Sequence, residues 1–140
     1  MPAIIRKSSA LERSLKLDHV TLLTSSPARS RPYYEALLPL LGLHKLRDGV
    51  WTDKQGLYLQ FLAAKEGSRP YERHAAGLNH LGFGASSAEQ VHEIRREMMA
   101  LGFEVPEVQL LDGAVALFMK DPDGIRFEVT FYPPGVSPVD

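Results

Sequence analysis

Four residues of this sequence carry side chains that divalent metal ions bind: His19, Gln60, His80 and Glu128. Imidazole nitrogens and carboxylate or amide oxygens are ligands for zinc, nickel, cobalt, manganese and iron(II). Two imidazoles, one carboxylate and one amide leave coordination positions for water or substrate, which is typical of a catalytic metal site. These residues therefore predict an open site for one divalent metal ion.

Composition excludes several other kinds of chemistry. The chain has no cysteine, so thiolate nucleophiles, disulfide frameworks and cysteine-bound metal sites are ruled out. Its 16 basic and 17 acidic residues give a net charge of -1 without long runs of either sign, so no nucleic-acid partner is predicted. At 140 residues the chain can fold around its own core, so any metal is predicted to be functional.

The apolar segments are too short for a membrane protein. The longest, residues 36–43, is interrupted by Pro39 and cannot span a bilayer. The first sixteen residues contain only a short apolar patch, without the core of a signal peptide. We expect a cytoplasmic protein with no membrane partner.

An internal repeat pairs the four candidate ligands. The segment KLDHVTLLTSS aligns with GLNHLGFGASS, which places His19 on His80, and DKQGLYLQF aligns with DPDGIRFEV, which places Gln60 on Glu128. The second pair shares a turn of Asp-x-x-Gly type, so DPDG is interpreted as a turn rather than an acidic metal loop. The repeat predicts one domain at 16–140, with an N-terminal extension at 1–15, modules at 16–64 and 77–133, a connector at 65–76 and a tail at 134–140.

Each module is predicted to contain a strand, a helix and then further strands. Alternation predicts the first strand at 17–24, and Ser87 with Gln90 predicts a capping box that opens the second helix. Because prolines are tolerated only near a helix start, we place the body of the first helix at 32–41. The remaining strands are predicted at 43–47, 49–52, 57–62, 104–111, 114–120 and 125–132.

Strand alternation puts the candidate ligands on one face. In the last strand Glu128 points away from its apolar neighbours, and His19, Gln60 and His80 are likewise opposite to theirs. The apolar face should pack on a helix. The four residues are therefore predicted to line an uncovered polar cleft, related in pairs by a pseudo-twofold axis.

These motifs resemble the vicinal oxygen chelate superfamily, which includes glyoxalase I, extradiol dioxygenases, fosfomycin-resistance enzymes and bleomycin-binding proteins. LDHV with His19, GLNHLGF with His80 and DPDGIRFEV with Glu128 stand in the order that the superfamily uses. The resemblance implies an α+β fold in which two tandem βαβββ modules form a curved mixed sheet around a central cleft, with helices on the outer face. It also implies a homodimer. In some members of the superfamily the two chains of the dimer exchange modules, so that both chains contribute ligands to each site.

Gln60 departs from the family pattern, because glyoxalase I-like members commonly have glutamate at this position. An amide binds metal more weakly than a carboxylate, so Gln60 is a ligand, a residue that supports the ligands, or a substrate contact. Without it, His19, His80 and Glu128 form the two-histidine, one-carboxylate set of non-haem iron oxygenases.

The resemblance implies three functions. The leading hypothesis is a glyoxalase I-like enzyme with isomerase or lyase chemistry, in which the metal chelates a small oxygen-rich substrate and Glu128 moves a proton. The alternatives are an iron(II) extradiol ring-cleaving dioxygenase and a non-catalytic drug-binding protein of the bleomycin-resistance type. Residues predicted to line the substrate pocket are Tyr58, Tyr71, Arg73, Arg126 and Tyr132.

Overall fold

Both modules fold as a strand, a helix and three further strands. The structure is a computed structural model that describes residues 14–139, so most of the predicted N-terminal extension lies outside the described residues. In chain order the elements are β1 (His19–Thr24), α1 (Pro27–Leu40), β2 (His44–Arg47), β3 (Val50–Thr52), β4 (Tyr58–Ala63), β5 (His80–Gly84), α2 (Ala88–Ala100), β6 (Gln109–Leu111), β7 (Ala114–Lys120) and β8 (Arg126–Phe131).

The strands are divided between two four-stranded mixed sheets, one in each module. Their orders are β1-β4-β3-β2 and β5-β8-β7-β6. The first strand of each module pairs in parallel with the last, and the other pairs are antiparallel. The predicted α+β class and the tandem βαβββ modules are confirmed.

The first helix begins earlier than predicted. It starts at Pro27, and the hydroxyl oxygen of Ser26 caps it by accepting from the Arg29 N–H at 3.3 Å. The prediction of a body at 32–41 was wrong because this cap, with proline in the first turn, is a strong start signal. Pro32 and Pro39 each remove one N–H donor from the helix. Burial of its inner face compensates, through Tyr33, Tyr34, Leu37 and Leu38.

The second helix starts where predicted, with Ser87 accepting from the Gln90 N–H at 3.1 Å. The return half of the capping box differs, because the Gln90 side chain accepts from the N–H of Ser86. The strand expected at 104–111 is shorter and begins at Gln109, because Arg95 of α2 donates to the carbonyl oxygen of Pro106 at 2.8 Å. No helix among the described residues is long and apolar enough to cross a bilayer.

The same turn precedes β4 and β8. Asp53 Oδ1 accepts from the Leu57 N–H at 3.0 Å, and Asp121 Oδ1 accepts from the Ile125 N–H at 2.8 Å. Gly124 has a φ of 89°, which favours glycine. The interpretation of DPDG as a turn that leads into β8 is confirmed.

The two modules share one hydrophobic core. Tyr34 of α1 packs on Phe61 of its own module, with ring centroids 4.1 Å apart, and on Phe127 of the other module, at 5.6 Å. Tyr33 packs on Phe103 at 5.4 Å. Because Phe61 and Phe127 belong to the helix-covered faces of their sheets, the uncovered faces are turned away from this shared core.

Candidate metal and substrate site

The structure brings His80 and Glu128 together on the uncovered face of the second sheet. Strands β5 and β8 are parallel neighbours, and His80 Nε2 lies 3.4 Å from Glu128 Oε1. Gly82 is the residue opposite Glu128 on β5, and nothing lies within 4 Å of the position that its Cβ would take. The missing side chain leaves the space beside the carboxylate open to a ligand.

Two hydroxyl groups fix the orientation of the Glu128 carboxylate. Its Oε2 accepts from the Thr130 hydroxyl at 2.8 Å and from the Tyr132 hydroxyl at 3.1 Å. Both donors lie on the same face as Glu128, at alternate positions along the chain. Tyr132 was predicted to line the pocket. Strand alternation also places Thr130 on the face of Glu128, but no role was predicted for it. Oε1 is left to face His80.

The His80 ring is oriented by the residue before it. Its Nδ1–H donates to Asn79 Oδ1 at 2.6 Å, and Asn79 Nδ2 donates to the carbonyl oxygen of Arg73 at 3.1 Å. The second bond fixes which way the Asn79 amide points, so the neutral imidazole carries its proton on Nδ1 and its lone pair on Nε2. Asn79 was also missed by sequence reasoning. The signal for it was a polar residue before each repeated histidine.

This arrangement sets two electron-pair donors against each other. The Nε2 lone pair and the Glu128 carboxylate face one another at 3.4 Å, which is longer than an ordinary hydrogen bond. A cation between them, either a proton or a metal ion, would relieve the repulsion. The pair therefore offers one nitrogen and one oxygen ligand, about half of what a divalent-metal site needs.

The first module repeats part of this arrangement. His19 Nδ1 donates to the carboxylate of Asp18, the residue that aligns with Asn79, and its Nε2 has no hydrogen-bond partner among the described residues. Gln60 Oε1 accepts from the Thr21 hydroxyl at 3.2 Å. The His19 side chain is 66% exposed, compared with 39% for His80, so the first-module half is open to solvent.

The two halves do not meet within one chain. Across residues 14–139, no three histidine, cysteine, aspartate or glutamate side chains come together as a group that could hold a metal ion. The shared core joins the modules through the helix-covered faces of their sheets, which are opposite to the faces that carry these residues. One chain thus brings together His80 and Glu128, but not His19 with them.

Cationic side chains lie next to the His80–Glu128 pair. Arg126 is the register partner of both His80 on β5 and Lys120 on β7, and its guanidinium lies 4.3 Å from the centre of the Phe118 ring. Burial, followed by the nearby charge of Arg73, lowers the pKa of Arg126 from its ordinary value. Arg126 takes part in none of the ion pairs found between described residues.

The other predicted pocket residues are divided between connector and strand. Tyr71 is half-buried, and its hydroxyl donates to the carbonyl oxygen of Leu78 at 2.6 Å, which ties the connector to the start of β5. The Arg73 guanidinium lies 3.2 Å from the His74 ring. Tyr58 is 43% exposed and is the register partner of His19.

Most of the chain matches the model of one protein family, and proteins of related sequence or similar fold are known. Residues 16–129 match the Glyoxalase/Bleomycin resistance protein/Dioxygenase superfamily. The uncharacterized protein YqjT of Bacillus subtilis is 32% identical over 123 residues, which cover 81% of this chain and 96% of that protein. A putative glyoxalase from Bacillus halodurans has a similar structure, with a TM-score of 0.73, 24% identity and coverage of 87% and 99% of the two chains. Lactoylglutathione lyase from Agrobacterium tumefaciens has a TM-score of 0.58 at 20% identity, with coverage of 85% and 95%.

Proposed function

Because the chain belongs to the glyoxalase, bleomycin-resistance and dioxygenase superfamily, we propose that it is a metal-dependent enzyme of the glyoxalase I-like type. Its substrate is a small oxygen-rich molecule that the metal chelates, and its chemistry is isomerase or lyase chemistry. The observation that carries this proposal is the pair of side chains on the uncovered face of the second sheet, whose atoms His80 Nε2 and Glu128 Oε1 lie 3.4 Å apart.

The residues around this pair support a metal ligand role for His80. A histidine that binds a metal through one ring nitrogen usually donates the other ring N–H to a carboxylate or carbonyl oxygen. Asn79 provides such an acceptor for His80, and Asp18 provides one for His19. The two ring nitrogens that remain free, one in each module, suit a divalent ion.

A second copy of the chain would complete the site. His80 and Glu128 of one chain would hold the ion together with His19, and with Gln60 in the four-ligand case, from the uncovered face of a partner. This explains why an exposed histidine in the first module carries its own orienting carboxylate. A homodimer that exchanges modules is therefore part of the proposed function.

Glu128 is the proposed proton carrier. A bound divalent ion would supply Lewis acidity toward two neighbouring oxygens of the substrate. The Thr130 and Tyr132 hydroxyls hold Glu128 Oε2, so the carboxylate keeps a fixed orientation while Oε1 takes or gives the proton. On the β5 side of Glu128, Gly82 presents no side chain and so leaves room beside the carboxylate.

The substrate is proposed to carry an anionic group. Arg126 and Arg73 place two positive charges beside the His80–Glu128 pair, and Arg126 has no carboxylate partner among the ion pairs of the described residues. The Phe118 ring holds the Arg126 guanidinium in place. Tyr58, which is the register partner of His19 in the first module, would contact the less polar part of the substrate. Tyr71 would close the side of the substrate pocket that the connector forms.

The extradiol dioxygenase remains the second candidate because of Gln60. The amide oxygen of Gln60 already accepts from Thr21, whereas no hydroxyl group in the described part of the chain donates to Glu128 Oε1. If Gln60 stays bound to Thr21, the ligand set is His19, His80 and Glu128, which suits iron(II).

Elemental analysis of the purified protein tests the proposal first. We expect about one zinc, nickel, cobalt, manganese or iron ion per chain. The ion should be lost in Glu128→Gln, which removes the charge of the side chain but keeps its shape. Oxygen consumption with catechols then separates the dioxygenase from the glyoxalase-like enzyme. Protein that is free of metal and takes up none of these ions would contradict both, and would leave the non-catalytic drug-binding alternative.

A further inference from the structure

A cavity of about 100 Å³ lies on the opposite side of the first sheet from His19 and Gln60. It is enclosed by α1, the turn before β3, and the helix-facing side of β3 and β4. Tyr34, Trp51 and Phe61 give it aromatic walls. It is therefore separate from the candidate metal face, and its role does not depend on the proposed function.

Two buried hydroxyl groups in the cavity wall lack partners. Thr24 is 1% exposed and Ser30 is 2% exposed, and neither hydroxyl oxygen has a hydrogen-bond partner among the described residues. The usual local acceptor for Ser30 is the carbonyl oxygen of Ser26, but that oxygen already accepts from the N–H groups of Arg29 and Ser30. Because buried hydroxyls are nearly always hydrogen-bonded, these two indicate an occupant that bonds to them.

The size of the cavity limits what the occupant is. One water needs only about 10–15 Å³ of such space, whereas an apolar cavity of about 150 Å³ admits benzene. The space available here, about 100 Å³, lies between these limits. It fits a molecule of roughly three to six non-hydrogen atoms.

The charges around the cavity are already neutralised. Arg31 donates to both oxygens of Asp48 at 3.0 and 3.1 Å, and Lys45 donates to Glu35 at 2.7 Å. These four residues also line the cavity, and no unpaired charge among its lining residues is left to recognise an ion. Both ion pairs join α1 to the β2–β3 hairpin at the edge of the cavity. Because they are exposed to solvent, they contribute little to holding the helix and the hairpin together.

We propose that this cavity binds a small uncharged oxygen-containing molecule of the class of short-chain alcohols, ketones and amides. Its oxygen bonds to the hydroxyl groups of Thr24 and Ser30, each of which can donate and accept. Its apolar part packs against Trp51 and Phe61. The molecule enters where the exposed ion pairs separate.

Trp51 offers a direct readout, because it is the only tryptophan in the chain, it is buried and it lines the cavity. The wild-type protein is titrated with acetamide and with 2-propanol while the Trp51 fluorescence is recorded. We expect a saturable change with at least one of the two probes. Loss of one hydrogen bond in Thr24→Val or in Ser30→Ala should weaken binding about tenfold.

Thr21→Val is the matched control, since it makes the same substitution on the same strand but on the opposite face. It should bind the probes as the wild type does. Thr24→Val keeps the shape of the side chain and removes an unpartnered hydroxyl, so it should fold, and Ser30→Ala tests the second hydroxyl independently.

Three results would overturn the proposal. The first is a fluorescence change that is linear in both probes for the wild type. The second is equal saturable binding in the wild type, Thr24→Val and Ser30→Ala, which would place the probe elsewhere. The third is a crystal of the wild type soaked in 2-propanol that holds only water between Thr24 and Ser30.

Discussion

The hydroxyl group of Tyr34 donates to Asp121 Oδ2 at 2.6 Å, and this bond joins the helix of the first module to the turn before the strand that carries Glu128. The other oxygen of Asp121 holds the turn itself, by accepting from the N–H groups of Asp123 and Ile125. One buried carboxylate therefore both shapes the entry into β8 and ties the modules together. The geometry of Glu128 depends on a contact from outside its own module.

Tyr34→Phe should destabilise the protein by about 1–3 kcal/mol near neutral pH, because Asp121 Oδ2 then stays buried without a partner. Burial raises the pKa of Asp121 above its ordinary value of 3.8, and the Tyr34 hydroxyl opposes this rise. A raised folded-state pKa means that the protonated form favours folding, and this contribution is lost as pH rises through that pKa. Without the hydroxyl the pKa rises further, so the effect of Tyr34→Phe should shrink as pH falls.

Urea unfolding near neutral pH and at about pH 4 measures this difference. Tyr33→Phe is the matched control, since Tyr33 is also buried but its hydroxyl bonds to no carboxylate among the described residues. It should show a smaller and pH-independent change. A destabilisation by Tyr34→Phe that grows as pH falls would contradict the assigned role of Asp121.

A heterodimer of two defective variants should recover part of the metal binding. His19→Ala and Glu128→Gln each remove a proposed ligand, so each homodimer should retain little metal. If every site takes its two halves from different chains, a doubly tagged heterodimer has one intact site and one with both defects. It should hold about half of the wild-type metal content.

Elemental analysis of the heterodimer, isolated through the two tags, gives the result. The wild type purified in the same way is the control. A heterodimer as empty as both homodimers would show that each site is built from one chain, and the proposed exchange of modules would fail.

Asn79→Ala should weaken metal binding about 10- to 100-fold, although Asn79 is not a ligand, because the His80 ring loses the acceptor that orients it. Asn79→Asp keeps an acceptor oxygen and should retain most of the affinity. Competition with a metal-binding dye measures both constants. Equal affinities for Asn79→Ala and the wild type would show that the ring needs no such support.

Arg126→Gln should weaken the binding of an anionic probe, inorganic phosphate, about tenfold, because one charge-assisted hydrogen bond is lost. Phosphate titration followed by nuclear magnetic resonance measures the affinity. Arg96→Gln, on the exposed surface of α2 and paired with Glu89, controls for the change in net charge. If both variants lose affinity equally, the probe responds to overall charge and Arg126 has no special part in recognition.

Much of the site's local arrangement was predictable because it depends on short-range periodicity. Alternation put Glu128 on the face opposite Phe127, and the structure has Phe127 fully buried and Glu128 partly exposed. The repeat placed His80 on a strand equivalent to that of His19, and parallel pairing of β5 with β8 then brings His80 close to Glu128. The start of α1 was missed because the prolines received more weight than the Ser26 cap.

Local sequence patterns are enough to assign the two modules, their turns and the face on which each candidate ligand lies, since the alternation along a strand fixes which side of the sheet a residue takes. How the modules pack against each other depends on contacts between residues far apart in the chain, and the fold was needed to see it. The packing of Tyr34 on Phe61 and Phe127 joins the modules through the helix-covered faces of their sheets, and among the described residues of one chain His19 does not come together with His80 and Glu128. The cavity that Thr24 and Ser30 line could not be predicted from a local pattern either, because its shape depends on how side chains from separate elements pack together.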